Sequence, residues 1–178
     1  LFNGFDGRAT FSSIVRAARE KGYTEPDPRD DLSGMDVARK LIILGREMGL
    51  TLEMSDVKVN GLVPKAVENC SVDEFMQRLP EFDGLMALKH SNAAKKNEVL
   101  RYVGRIDADG HATVGLVRLD ARHAFANIAL TDNVVRFATR RYCDNPLIVQ
   151  GPGAGPEVTA GGVFSDLLRL SAYLGAHL

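Results

Sequence analysis

The sequence predicts an α+β fold, with helices packed on one face of a mostly antiparallel sheet. Three observations carry this. Helical periods fill the first half of the chain. From Val99 the pattern changes to strand alternation around an Asp109-Gly110 turn signal. A Gly-rich run, Gly151 to Pro156, then leads into a final helix. Helices followed by a run of hairpin-linked strands is the pattern expected when helices segregate to one face of an antiparallel sheet.

Taken in order, residues 10–21 read as a helix, with Ile14, Ala17 and Ala18 at helical spacing and Gly22 as its stop. Thr24 to Asp31 is polar and holds Pro26 and Pro28, which predicts a stiff loop. Ser33 reads as an N-cap, with Asp36 three residues on as a capping-box partner. The helix from Gly34 to Met48 carries Met35, Val37, Ala38, Leu41, Ile42, Ile43, Leu44 and Met48, enough to predict burial on most sides. A short strand is expected within 57–63. Ser71 then opens a helix with Val72, Phe75, Met76 and Leu79 on one face, ended by Pro80. A more polar helix covers 81–96. Strands are expected at 99–106, 113–119, 134–142 and 147–149, and a last helix at 157–174.

A chain of 178 residues, 45% apolar and 25% charged, has the composition of one ordinary globular domain. The net charge of −1 gives no electrostatic footprint for nucleic acid. No apolar run approaches the ~20 residues of a membrane span, and no basic n-region opens a signal peptide. The chain starts at Leu1 within an apolar segment and reads as part of a longer protein. Cys70 and Cys143 lie far apart and outside any metal-ligand spacing, as expected of free thiols in a reducing compartment. His90, His111, His123 and His177 read as surface or loop residues.

Two stretches carry chemistry. Tyr23 to Lys40 holds five carboxylates, Glu25, Asp27, Asp30, Asp31 and Asp36, and one lysine. Asp36 and Lys40 are four apart and share a helix face. Carboxylates can grip an ammonium group while a lysine exchanges a proton. Alternatively, Asp36 is only a capping partner or one half of a surface ion pair. The lysine's place in an apolar helix favours the chemical role. A third reading, a metal-bound hydrolase using Asp27, Asp30 and Asp31, lacks a histidine ligand near the acidic loop. The second stretch is Gly151-x-Gly153-x-Gly155 before a helix containing Thr159, Gly161 and Gly162. It serves either tight packing or close approach of a ligand backbone and anion. It is not the G-x-G-x-x-G fingerprint.

Together the run from Gly22 to Lys40 and the tail from Gly151 to Leu170 resemble the homoserine dehydrogenase family, in particular the end of bifunctional aspartokinase–homoserine dehydrogenases. The resemblance implies NAD- or NADP-dependent interconversion of L-aspartate 4-semialdehyde and L-homoserine. It implies that Glu25 and Asp36 hold the substrate's amino and hydroxyl ends, and that Tyr23 lines the pocket. It implies that Lys40 is the proton donor and that Asp31 orients it. Gly155 would approach the cofactor, with Thr159 nearby. Residues 1–150 would form the substrate-binding and dimerisation domain. Residues 151–178 would return to complete a Rossmann domain absent from this chain, which would leave the isolated chain inactive. A homodimer through the sheet is implied, in the cytoplasm or, for a plant or alga, the plastid stroma. The alternative from another class is an oligomerisation or regulatory module without chemistry of its own.

Overall fold

The computed structural model describes residues 1–128, 132–153 and 155–175. Their contacts divide after Ala126, into Leu1–Ala126 and Asn127–Leu178, whereas the sequence suggested a division after residue 150.

In the first unit, helix α1 spans Phe11–Glu20. Thr10 caps it by accepting the Ser13 amide at 3.2 Å. It ends in a Schellman motif: Gly22 has φ +69°, the Tyr23 N–H donates to Ala18 O at 2.9 Å, and the Gly22 N–H donates to Arg19 O at 3.0 Å. The buried side is Phe11, Ser12 and Val15, while Ala17, expected on the core face, is exposed.

The stiff acidic loop contains a helix. α2 spans Pro28–Leu32, with Asp27 as N-cap and Pro28 at its first turn, where a missing N–H costs nothing. Ser33 is therefore the C-cap of α2 and not the N-cap of the next helix. That N-cap is Gly34, at φ +81°, and the Ser33–Asp36 capping box does not form. α3 spans Met35–Glu47 and buries Ala38, Leu41, Ile42 and Gly45, but exposes Ile43. The apolar count overstated its burial, because several of those side chains point away from the core.

β1 is Val57–Val59. Ser71 caps α4, Val72–Arg78, by accepting the Glu74 amide at 3.2 Å. The α-helix ends ahead of Pro80, as expected, but the proline does not end the helical course. It sits in a 3-10 turn, Leu79–Phe82, that leads directly into α5, Asp83–Ala94. β2 (Glu98–Ile106) and β3 (Ala112–Asp120) form an antiparallel hairpin with Gly104 opposite Val114. The connecting turn carries Gly110 at φ +86°. β1 adds to β3 in parallel, with Val57 opposite Ala112, so this sheet is mixed with order β1-β3-β2.

Two buried clusters hold the unit together. Phe5, Phe11, Val15, Leu32, Val67, Phe75, Leu79 and Leu100 form one. Ala38, Leu41, Ile42, Leu52, Val57, Ala112 and Val114 form the other, between α3 and the sheet. Each fully buried Val, Leu or Phe contributes about 1.5–3 kcal/mol. His90 lies on α5, half-buried, with its ring edge-on to Phe5 at 5.3 Å.

The second unit consists of β4 (Asp132–Phe137), β5 (Leu147–Pro152) and α6 (Pro156–Tyr173). β4 and β5 pair antiparallel, with Val135 opposite Val149. The expected single sheet is thus two sheets, of three and two strands. No described residue of α6 is buried. His177 lies outside the described residues. No helix among those residues is long and apolar enough to cross a membrane.

Candidate active site

The acidic stretch is built from the start of α1's successor turn onward. Asp27 accepts the Arg29 amide at 3.0 Å, capping α2. One turn later Asp31 projects from α2, and its Oδ2 accepts the Glu25 amide at 2.9 Å. The carboxylate thereby closes the loop from Glu25 to Asp31 into a ring. Thr24 reinforces it by donating its hydroxyl to Glu25 O at 3.0 Å.

The junction between α2 and α3 is enclosed from two directions. The Leu62 amide donates to Leu32 O at 2.7 Å, and a Cβ at Gly61 would lie 2.9 Å from Ser33 O. From β2, Tyr102 reaches across Gly34 and donates its hydroxyl to Asn60 O at 3.1 Å. A Cβ at Gly34 would meet that hydroxyl at 2.0 Å. Glycine is required here twice, by the ring above it and by its left-handed backbone.

From this junction α3 presents Asp36 and Lys40. Lys40 Nζ lies 2.8 Å from Asp36 Oδ2, with the side chains 61% and 64% exposed. Lys40 is therefore not enclosed within an apolar helix, as the sequence suggested; it stands on the polar face of an amphipathic one. An exposed pair at this spacing contributes only about 0.3–0.5 kcal/mol to stability. Asp36 is the acidic partner of Lys40, and no Asp31–Lys40 ion pair forms among the described residues. Glu25 is exposed, as is Tyr23, at 71%. The structure thus brings together Asp36 with Lys40, and Asp31 with the Glu25 backbone, on an open surface.

Arg29 is the residue that the sequence reading passed over. Its Nε and Nη2 donate to Asp27 at 3.0 and 2.7 Å, and its Nη1 donates to Glu68 O at 3.0 Å and Cys70 O at 2.6 Å. The guanidinium also lies 5.6 Å from the Phe75 ring centre. Its hydrogen bonds hold the Asp27 carboxyl below its usual range. The signal was present: an arginine two residues after an N-cap aspartate can fold back onto it. Beside α2 runs an open groove of about 920 Å³, lined by Asp27, Arg29, Asp30, Ser33, Asn60 and Lys65 among others, but not by Glu25, Asp31, Asp36 or Lys40.

In the second unit, Gly155 precedes α6 at φ +126° with open space where a Cβ would stand. Gly161 and Gly162 are equally unobstructed. Gly153 has a different reason: a Cβ there would collide with the Asn133 side chain. The Thr159 hydroxyl donates to Gly155 O at 3.0 Å, bracing the turn. The bare glycine surface at the start of α6 suits a flat or anionic ligand part. One trio elsewhere, Asp107, Asp109 and His111, brings possible metal-ligand atoms within 4.8 Å of one another. Asp107 Oδ1 already accepts the Asp109 and His111 amides at 3.0 Å, which identifies the trio as the turn of the β2–β3 hairpin.

A family profile described as homoserine dehydrogenase matches residues 1–168. A chloroplastic bifunctional aspartokinase/homoserine dehydrogenase 2 of Zea mays is 57% identical over 178 residues, covering 99% of this chain and 19% of that protein. A homoserine dehydrogenase of Schizosaccharomyces pombe is 45% identical over 177 residues, covering 98% of this chain and 47% of that one. The chain therefore spans a fraction of the length of these relatives. Among solved structures, a Candida auris protein titled as of unknown function superposes with TM-score 0.90 at 42% identity, covering 96% of this chain and 49% of its own. A Staphylococcus aureus homoserine dehydrogenase shares the fold, with TM-score 0.70 at 22% identity, covering 96% of this chain and 38% of its own.

Proposed function

The chain belongs to the homoserine dehydrogenase family, and from that premise we propose that it is the substrate-binding part of an NAD(P)-dependent homoserine dehydrogenase. The reaction interconverts L-homoserine and L-aspartate 4-semialdehyde. The observation that carries the reading is the 2.8 Å Asp36–Lys40 pair on α3, the helix that follows directly on α2, whose Asp31 closes the ring at Glu25.

Glu25 and Asp36 offer carboxylates to the substrate's ammonium and hydroxyl ends, and Tyr23 borders them. When bound, the nicotinamide cofactor supplies or takes up a hydride at the substrate's terminal carbon. During reduction the carbonyl π pair moves onto oxygen, and the Lys40 ammonium stabilises that charge and transfers a proton to it. The lysine amine then regains a proton from water. Asp36 keeps Lys40 aimed, while Asp31 serves by fixing Glu25. Gly155 and the bare start of α6 would lie against the cofactor, with Thr159 bracing that turn.

In the full-length protein, Lys40→Ala is expected to lower kcat by about 10²-fold or more with assembly unchanged, as loss of a general acid does. Full turnover per folded site would sink the reading. The isolated 178-residue chain is expected to show no turnover with homoserine and either cofactor, because its exposed Lys40 lacks the covering surface that the longer relatives have room to supply. We also place a homodimer contact on the first sheet. Val99, Val103, Val117 and Leu119 share the face turned away from α3. Val103→Lys should convert dimers to monomers in sedimentation. A dimer that survives would move the contact elsewhere. Both cysteines are free, which suits a reducing compartment, the cytoplasm or the plastid stroma.

A further inference from the structure

We infer that Arg29 is a positioning residue for substrate binding, acting through Asp27, Asp31 and Glu25 and not by touching substrate. The inference rests on the reading of the active site given above and adds the element that holds its acidic half in place.

α2 has only five residues, too few for a helix to persist on its own hydrogen bonds. Its position must come from outside. Burial of Pro28 and Leu32 supplies part of it, and two polar attachments complete it. At its C-terminal end the Leu62 amide bonds to Leu32 O at 2.7 Å. At its N-terminal end the attachment is Arg29. The side chain is only 17% exposed, and its donors reach three partners at once: the Asp27 carboxylate, Glu68 O and Cys70 O. The guanidinium also lies over Phe75, a fully buried anchor of the core. Arg29 thus ties the N-terminal end of α2 to the segment 68–75, some forty residues away by chain order.

What depends on that tie is specific. Asp31 sits on α2, and Glu25 is held by Asp31 through its amide. If the N-terminal end of α2 swings, both carboxylates move with it. Lys40 does not depend on this tie. It stands on α3, which is fixed by Ala38, Leu41 and Ile42 in the second core cluster and by the Tyr102 clamp at Gly34. Loss of Arg29 should therefore loosen the groups that bind substrate while leaving the proton donor in place. A lysine can replace it only in part, since one ammonium lacks the planar fork that serves a carboxylate and two carbonyls together.

The test uses the full-length protein with Arg29→Ala, Arg29→Lys and, in parallel, Lys40→Ala, each assayed with homoserine. Arg29→Ala is expected to raise KM for homoserine about 10-fold, since an ångström-scale misplacement of binding groups has effects of this order. kcat per folded enzyme should change less than about 3-fold, the pattern of lost ground-state binding. KM for the nicotinamide cofactor should not move. Added ethylguanidinium should restore KM for homoserine in Arg29→Ala and have no effect on the parent protein. Arg29→Lys should show a smaller rise in KM, and it carries the same criteria if the alanine variant is insoluble. A soluble variant with KM for homoserine within about twofold of the parent overturns the inference, as does a loss confined to kcat or to the folded fraction. The Lys40→Ala arm separates the two readings. If Lys40→Ala keeps full turnover, the active-site assignment fails. If it loses turnover while the Arg29 variants keep their KM, only the role of Arg29 fails.

Discussion

Single residues set the geometry of this surface, and Gly34 is the most constrained of them. It has φ +81° and lies beneath the Tyr102 hydroxyl. Gly34→Ala is expected to cost roughly 1–3 kcal/mol in urea unfolding, from backbone strain and from the displaced ring. Tyr102→Phe alone should cost about 1 kcal/mol for the lost bond to Asn60 O. Because the two side chains share one space, their costs should add to less than their sum in the double variant, and strict additivity would show that the ring is not the obstacle. Asp27 gives a pH signature. Arg29 lowers its folded pKa below 3.8, so the unfolded chain takes up its proton first as pH falls. The stabilisation is complete above that ordinary value and is lost as pH drops through the lower folded one. Asp27→Asn should flatten the stability-against-pH curve in this acid range and leave its slope near neutrality unchanged.

At the level of elements, the parts legible in the sequence were those decided locally. Gly22 and Ser71 announced helix ends because capping chemistry acts within four residues. Ser71→Ala should accordingly cost about 1 kcal/mol, with Ser71→Thr recovering most of it in thermal melts. α2 was not legible, since two prolines outweighed the signal of Asp27 as a cap with Pro28 just inside it. That one miss displaced the next cap from Gly34 to Ser33. Lys40 was singled out for a mistaken reason: the apolar residues of α3 were counted without asking which way Ile43 or Met48 faces, and both are exposed. Its partner Asp36 was legible from spacing alone. For Arg29 only the local pairing with Asp27 has a sequence signal; its carbonyl partners at Glu68 and Cys70 have none.

At the scale of the whole molecule, the parallel pairing of β1 with β3 and the separation of β4 and β5 into their own sheet depend on contacts between distant residues, which periodicity does not report. The second unit has little interior. Val163, Phe164, Leu167 and Leu170 of α6 are exposed, Phe164 at 61%. Amides of α6 should therefore exchange with solvent faster than those of β2 and β3 in the isolated chain. Leu167→Lys should raise the chain's solubility without shifting the unfolding of the first unit, and a matching loss of first-unit stability would contradict this division of labour.

The parallel strand also has a temporal consequence. Val57 finds its partner only at Ala112, about fifty residues later, and closing so long a loop is slow compared with forming the β2–β3 hairpin. The hairpin is thus a template that must exist before β1 can dock and before Asn60 can receive Tyr102. On a ribosome, α2 and α3 would emerge long before the strand that locks their junction. The nascent polypeptide would expose the acidic groups of α2 and α3 with their junction still unlocked until β3 had left the exit tunnel.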